Sequence, residues 1–205
     1  MEFKPILTKT EIIDRFLQIT LNLLLKFVRN IYSRNQNGNR ILLIISLHKI
    51  GDSVFTIPAI KAIIASNDYE QVFLIVYSET KIIFNELLEK QNIITLGAKD
   101  FLFGNRIATS KARKIIKSIN PETLIDLTGS ITSASLILKS EASRIIGMND
   151  VYFKKIYSDF CEKRSRPHLI ERYCDVAELF LKKKIDRNFF KYPINLKKDG
   201  MILVH

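Results

Sequence analysis

Arg-Ile-Leu-Leu-Ile-Ile-Ser-Leu-His-Lys-Ile-Gly-Asp-Ser-Val-Phe-Thr-Ile-Pro-Ala-Ile is the sequence of residues 40–60. It starts with an unbroken aliphatic run, Ile41 to Ile45, which is typical of a strand covered on both faces of a sheet. A polar segment interrupts this run. Gly51 is expected to permit a sharp turn, and Asp52 is expected to be the N-cap of a helix over residues 53–65. In open α/β sheets, strand ends of this kind line the ligand-binding crevice.

The rest of the chain repeats this alternation of strand and helix. Apolar runs predict strands over residues 72–77, 93–96, 124–127 and 144–147, the last of them short and typical of a sheet edge. The segments between and after them predict helices over residues 80–89, 106–118, 131–138 and 169–183. Such alternation predicts an α/β fold: a Rossmann-like parallel sheet with right-handed crossovers and helices on both faces.

The charge balance points to an anionic partner. The chain has 205 residues and a formal net charge of +11, which fits nucleic acid, phospholipid head groups or a phosphorylated substrate, and also fits a basic protein with no such partner. Nucleic acid is disfavoured because no recognition helix or aromatic stacking motif is evident. Cys161 and Cys174 are too few for a disulfide framework, and residues 2–11 lack the apolar core of a signal peptide, so a cytoplasmic location is expected.

An amphipathic helix is predicted over residues 11–32, followed by a polar linker over 33–39. The longest uncharged stretch, residues 16–25, is shorter than the roughly 20 residues of a membrane span. Two interpretations of this helix remain open. Either it packs on the domain's own surface, or it lies in the plane of a membrane. In the second case four cations would sit near the head groups: Arg15, Lys26, Arg29 and Arg34.

A second polar turn, residues 126–130, follows the strand predicted over 124–127. In a parallel sheet it shares one edge with the turn around Asp52. The Asp52 carboxylate has two interpretations that the residue pattern leaves open: a helix cap, or a base that accepts a proton from a bound hydroxyl. Thr128 and Ser130 are candidates to cap the helix that follows this turn. No phosphate-binding fingerprint and no metal-ligand spacing is present, so neither a metal nor a resident cofactor is expected.

Three separated blocks carry a family resemblance. The first is Ile50-Gly51-Asp52-Ser53-Val54 with Thr56-Ile57-Pro58. The second starts at Asp126 and Gly129 and ends in Arg144-Ile145-Ile146-Gly147, following the pattern D-x-x-G-x-x-x-S…R-I-G. The third is His168-Leu169-Ile170-Glu171-Arg172-Tyr173, following H-x-x-x-R-Y. Together, over about residues 40–205, these blocks resemble the ADP-heptose:lipopolysaccharide heptosyltransferases, glycosyltransferase family 9.

The resemblance implies the N-terminal half of a GT-B glycosyltransferase. In that family this half binds an anionic acceptor of the lipid A/Kdo type. A C-terminal domain binds ADP-heptose, and transfer inverts the anomeric centre without an obligatory metal. The family's proposed base corresponds to Asp52. The resemblance makes seven further residues candidates for acceptor binding: Lys49, Gly51, Thr128, Ser130, Arg144, Arg164 and Arg166.

The length of the chain departs from the family pattern. The resemblance divides it into an N-terminal helix and linker (residues 1–39), an acceptor-binding domain (40–200) and the first strand of a donor domain (201–205). The donor site is therefore expected to lie elsewhere, for example on a separate C-terminal domain chain. The expected protein is a heptosyltransferase-like enzyme, peripheral on the inner face of the cytoplasmic membrane and inactive alone. The alternative is a non-catalytic binding module that retains the acceptor domain.

Overall fold

The computed structural model describes residues 9–32, 40–66, 68–104, 106–148, 152–162 and 168–185. The helices are α1 Lys9–Tyr32, α2 Ile50–Ile64, α3 Lys81–Phe84, α4 Ser110–Ile119, α5 Ile131–Ile137 and α6 Leu169–Leu181. The strands are β1 Ile41–Ser46, β2 Gln71–Tyr77, β3 Ile93–Leu96, β4 Phe101–Leu102, β5 Ile107–Ala108, β6 Thr123–Asp126, β7 Arg144–Met148 and β8 Asp159–Cys161. The predicted linker over 33–39, the predicted strand over 201–205, Arg164 and Arg166 lie outside the described residues.

Six of these strands form one parallel sheet in the order β3-β2-β1-β6-β7-β8. When the sheet's own strands are numbered along the chain, this is the doubly wound order 3-2-1-4-5-6, which reverses direction between β1 and β6. The predicted fold class is confirmed. Ligands of doubly wound sheets bind where the strand order reverses, at the carboxyl ends of the strands.

Both faces of the sheet are covered, which explains the aliphatic run in β1. Leu42 and Ile44 point to a core shared with α2 and α6, whereas Leu43 and Ile45 point to a second core with α4 and α5. All four side chains are fully buried. A strand that is buried on both faces cannot alternate apolar with polar residues.

Three predictions about the elements are wrong. The strand β7 is internal and not at an edge, because the short strand β8 pairs with it through Gly147 and Phe160. The helix predicted over residues 106–118 begins only at Ser110, because residues 107–108 form β5, which pairs antiparallel with β4. The helix predicted over residues 80–89 ends at Phe84. Ile83 and Leu87 still pack against the core. The apolar residues of this segment are therefore buried by a short helix and the turn after it, without a longer helix.

The helix α1 packs against the domain along one side. Leu25 is buried in the second core. Asn22 Oδ1 accepts a hydrogen bond from the Lys155 backbone N–H at 3.2 Å. The Arg29 guanidinium is also buried and donates to the carbonyl oxygens of Ser140, at 2.5 Å, and Ala142. Burial lowers the pKa of Arg29. The expectation that Arg29 lies near lipid head groups is therefore wrong, because its guanidinium is buried and hydrogen-bonded to carbonyl oxygens of the domain itself.

Across the part of the chain that the structure describes, no helix combines the length and the apolar character needed to cross a membrane.

Candidate functional site

The helix α2 starts earlier than predicted, and this changes the position of Asp52. Lys49 occupies the N-cap position with extended backbone, and Asp52 is the acidic residue of the first helical turn. The expectation that Asp52 is the N-cap is thus wrong. Its carboxylate is half-buried, and a negative charge is favourable there because the unpaired N–H groups of the first turn carry partial positive charge.

Gly51 also differs from its predicted role. It lies within α2 and does not have the positive φ that only glycine adopts easily. A Cβ atom built on Gly51 would meet nothing within 4 Å. The turn itself therefore does not require glycine, and the space in front of Gly51 is open.

Buried hydroxyl groups hold the start of α2 against the end of β1. Ser46 Oγ lies 3.2 Å from Thr56 Oγ1, and Thr56 Oγ1 donates to the Ser53 carbonyl at 2.7 Å. Ser53 Oγ donates to the His48 carbonyl at 3.3 Å. Ser46, Ser53 and Thr56 are fully buried, so these contacts fix the direction in which Lys49 and Asp52 leave the sheet.

The second turn is organised by the buried carboxylate of Asp126. Its Oδ1 accepts from the backbone N–H groups of Thr128, at 2.9 Å, and Gly129, at 3.2 Å. Its Oδ2 accepts from the Tyr157 hydroxyl at 2.7 Å. Gly129 has φ +58, a conformation in which glycine avoids the strain of a side chain. Burial raises the pKa of Asp126. The aspartate of this motif therefore shapes the turn and is itself inaccessible.

Gly147 has a steric role in the same arrangement. A Cβ atom at this position would lie only 2.3 Å from Cε1 of Tyr157. Glycine thus allows the Tyr157 ring to lie across β7 and reach Asp126. The close approach of the Tyr157 ring to the backbone explains why the second sequence block ends in a glycine.

The two turns are hydrogen-bonded to each other at the point where the strand order reverses. The Leu47 N–H donates to Thr128 Oγ1 at 2.9 Å, so the Thr128 hydroxyl joins the two strand ends and does not cap a helix. Ser130 occupies the N-cap position of α5, and its N–H donates to Ser133 Oγ at 3.1 Å. The structure therefore brings five predicted site residues to one edge of the sheet: Lys49, Gly51, Asp52, Thr128 and Ser130.

Arg144 is not part of this group. It begins β7 and pairs in register with Thr123, the first residue of β6, so it lies at the opposite, amino-terminal edge of the sheet. There its Nε donates to Asp159 Oδ2 at 2.9 Å, and its guanidinium lies 5.9 Å from the centre of the Phe180 ring. Grouping Arg144 with Lys49 in one site was wrong, because a residue that starts a parallel strand cannot reach the carboxyl edge.

His48 and two residues of α6 complete the site, although sequence reasoning assigned them no role. The His48 Nε2–H donates to the Leu127 carbonyl at 3.2 Å, and its ring meets the Tyr173 ring edge-on, with centroids 5.1 Å apart. Burial lowers the pKa of His48, although the Leu127 hydrogen bond and the Asp52 charge oppose this. The available signal was the third sequence block, which contains Tyr173 and Arg172.

Tyr173 links α6 electrostatically to Asp52, and Arg172 acts on Tyr173 in turn. Burial, aided by the Asp52 charge, raises the pKa of Tyr173 to about 12, while the Arg172 charge acts in the opposite direction. Arg172 Nε is buried and has no hydrogen-bond partner among the described residues. The edge of the sheet therefore combines the Asp52 carboxylate, a half-buried histidine, a tyrosine and the Lys49 cation, with Arg172 next to the tyrosine in α6.

We expect Asp52→Asn to lower the pKa of His48 further, because it removes a negative charge that favours the imidazolium. The measurement is an NMR titration of the imidazole resonances, with His48→Gln as the assignment control. Asp68→Asn, which removes an acid from the opposite edge near Arg144, should leave the His48 titration unchanged. An unchanged His48 pKa in Asp52→Asn would show that the two side chains are not electrostatically coupled.

The comparisons with known proteins show the fold. No protein-family model and no curated protein sequence matches the chain. Among solved structures, a glycosyl transferase of family 9 from Veillonella parvula superposes with a TM-score of 0.57 at 16% identity, over 68% of this chain and 40% of that one. The Escherichia coli heptosyltransferase WaaC, solved with ADP, superposes with a TM-score of 0.55 at 18% identity, over 70% and 48%.

A third similar structure is the E. coli ADP-heptose lps heptosyltransferase II, with a TM-score of 0.51 at 15% identity over 66% of this chain and 39% of that one. The chain thus spans less than half the length of each of these proteins. The resemblance expected from three short sequence blocks is confirmed in the fold: the described domain has the architecture of part of a family 9 glycosyltransferase.

Proposed function

We propose that this chain is the acceptor-binding half of a glycosyltransferase of the heptosyltransferase type, acting on an anionic acceptor of the lipopolysaccharide core. The observation that carries the proposal is the half-buried Asp52 carboxylate at the carboxyl edge of the sheet, where the strand order reverses. The fold similarity to heptosyltransferases supports this assignment, since that edge is where doubly wound sheets bind ligands.

The proposed reaction is a direct displacement with inversion. The acceptor hydroxyl loses its proton to the Asp52 carboxylate while its oxygen forms a bond to the anomeric carbon of the donor sugar. The bond from that carbon to the phosphate oxygen breaks at the same time, and the nucleoside diphosphate leaves with the electron pair. Asp52 thereby acts as the general base, and its position in the first turn of α2 is compatible with this role because no helix-capping bond occupies it.

The anionic groups of the acceptor need cations near Asp52. Lys49 is exposed at the N-cap position, and Arg172 precedes Tyr173, the α6 residue whose ring meets His48. Ammonium and guanidinium groups bind phosphates and carboxylates through charge-assisted hydrogen bonds. We therefore propose that Lys49 and Arg172 bind the anionic groups of the acceptor. Arg144 is excluded from this role by its place at the other edge.

The substitution Gly51→Ala is expected to weaken acceptor binding without lowering the stability of the fold. Because a Cβ at residue 51 meets nothing in the protein and alanine is a better helix former, stability should stay constant or rise by up to about 1 kcal/mol. The acceptor is proposed to occupy that open space, so its affinity should fall by about tenfold, equivalent to roughly 1.4 kcal/mol. Thermal unfolding and calorimetric titration with a deacylated Kdo–lipid A fragment measure the two effects.

Gly97→Ala is the matched control, since its added Cβ would meet only Ser78 Oγ, at 3.6 Å. Equal affinity of Gly51→Ala and the parent chain would contradict the placement of the acceptor in front of Gly51.

The proposed function is tested by adding ADP-heptose and the same Kdo–lipid A fragment to the purified chain, with and without a separately expressed donor domain. Transfer under either condition supports the enzyme. Saturable acceptor binding that Asp52→Asn and Arg172→Gln weaken, without transfer under either condition, would favour a non-catalytic acceptor-binding module. Absence of both binding and transfer would refute the proposed function.

A further inference from the structure

The helix α1 has two apolar sides, and the domain covers only one of them. Asn22, Leu25 and Arg29 face the domain and are buried. Among the side chains of α1 that the structure describes, six large apolar ones are exposed on the remaining surface of the helix: Phe16, Ile19, Leu23, Leu24, Phe27 and Ile31. Successive members are three, four, one, three and four residues apart along the helix. This spacing places them in one continuous stripe that faces away from the domain.

The degree of exposure is unusual for such side chains. Phe16 is 67% exposed, Leu23 is 64% exposed and Phe27 is 65% exposed. Single exposed apolar residues are common on protein surfaces, but a contiguous apolar patch marks an interaction site. The stripe on α1 therefore calls for a specific occupant.

Basic residues lie along the flanks of α1 where the helix adjoins the domain. On one side of α1, Lys26 and Lys155 line the same hollow, and both are exposed. Near the end of α1, Tyr32 lies in a second hollow with several cations, and Lys139 Nζ sits 5.9 Å from the centre of its ring. The other cations of this second hollow are Arg113, Lys114 and Lys117, with Glu141 as its acid.

From this combination we infer that α1 binds in the plane of an anionic lipid bilayer. The stripe would enter the boundary between head groups and acyl chains, and the flanking lysines would contact lipid phosphates. The inference does not depend on the sugar-transfer chemistry proposed for the site around Asp52, since it rests only on α1 and the cations beside it.

A second copy of the chain is a poorer occupant for the same face. Pairing of two stripes would bring together the lysines that flank each of them, in a protein whose formal net charge is +11. Like charges brought together oppose association, whereas an anionic bilayer attracts every one of them. Charge complementarity therefore selects the lipid surface.

The absence of tryptophan from the sequence permits a direct test. Phe27→Trp introduces a single tryptophan into the stripe, and Phe103→Trp, at a site 78% exposed on the β4–β5 turn, is the matched control. With vesicles of phosphatidylcholine and phosphatidylglycerol, the Phe27→Trp emission should shift to shorter wavelength and be quenched by brominated acyl chains. The Phe103→Trp emission should show less of both effects. Emission from Phe27→Trp that does not respond to vesicles would overturn the inference.

Vesicle flotation of the full chain measures the energetic contribution of the stripe. The double change Leu23→Gln with Phe27→Gln should reduce binding at least tenfold. The control pair Ile82→Gln with Phe103→Gln, at sites 77% and 78% exposed, should leave it unchanged. Binding should weaken on pure phosphatidylcholine and at high salt. Equal flotation of the two double variants would contradict the inference, and so would a concentration-dependent dimer that the α1 changes dissociate while vesicles do not bind.

Discussion

Asp52→Asn is expected to lower the kcat of sugar transfer by about 10²–10⁴-fold, the usual contribution of a general base. The amide keeps the shape of the side chain but cannot accept the acceptor's proton. Because Asp52 is half-buried and is not the N-cap, the variant should fold normally. The measurement is steady-state turnover in the proposed transfer reaction, with the donor domain present where transfer requires it.

The kinetic pattern distinguishes a base from a binding residue. Loss of the base should reduce kcat with little change in KM for the acceptor, whereas Lys49→Gln and Arg172→Gln should mainly raise that KM. Asp68→Asn, at the opposite edge of the sheet, is the control for removing a negative charge. Turnover of Asp52→Asn within a factor of two of the parent protein would eliminate Asp52 as the base.

Asp126→Leu should destabilise the fold by about 3–5 kcal/mol, a large part of the 5–15 kcal/mol that a typical domain has. The change leaves three donors without their acceptor: the N–H groups of Thr128 and Gly129 and the Tyr157 hydroxyl. The measurement is the free energy of unfolding from denaturant titration. A loss below about 1 kcal/mol would show that water replaces the carboxylate, and that the turn does not depend on Asp126.

Asp126→Asn tests the charge of the same group. Burial raises the folded-state pKa of Asp126 above its ordinary value of 3.8. The stability contribution from this raised pKa is therefore fully present below pH 3.8 and is lost as pH rises through the folded-state pKa. Asparagine does not titrate, and its amide can accept from the two N–H groups and donate to Tyr157. The variant should thus show a flatter dependence of unfolding free energy on pH in that window. An unchanged dependence would contradict the shift.

The fold class could be predicted from the sequence because its determinants are local. The aliphatic run of β1 matches a strand buried on both faces, and the alternation of such runs with helices leaves few topologies other than a doubly wound sheet. Short elements escaped prediction for the same reason. The three residues of β8 are too few to show a hydrophobic pattern that distinguishes a strand from a loop. They form a strand because they pair with the free edge of β7.

The candidate site was predictable in part. A turn after each of two strands, with Asp52 in one and Thr128 in the other, was evident from the sequence, and the parallel sheet necessarily places both at one edge. Arg144 could have been excluded on the same logic, since it precedes its strand and does not follow it. The role of Asp126 was not readable, because it depends on a tyrosine that lies 31 residues away in the chain.

The sequence by itself determined the buried strands, the polar turns that follow them and the amphipathic character of α1, since each is a pattern carried within a single segment. Only the tertiary structure decided which polar groups meet. It buries Asp126 beneath Tyr157, places His48 against Tyr173, and leaves Asp52 as a half-buried carboxylate in the first turn of α2. It also decided which side of α1 is covered. The physical reason is that burial, pKa and unsatisfied hydrogen-bonding groups arise from contacts between distant segments, and no local pattern encodes those contacts.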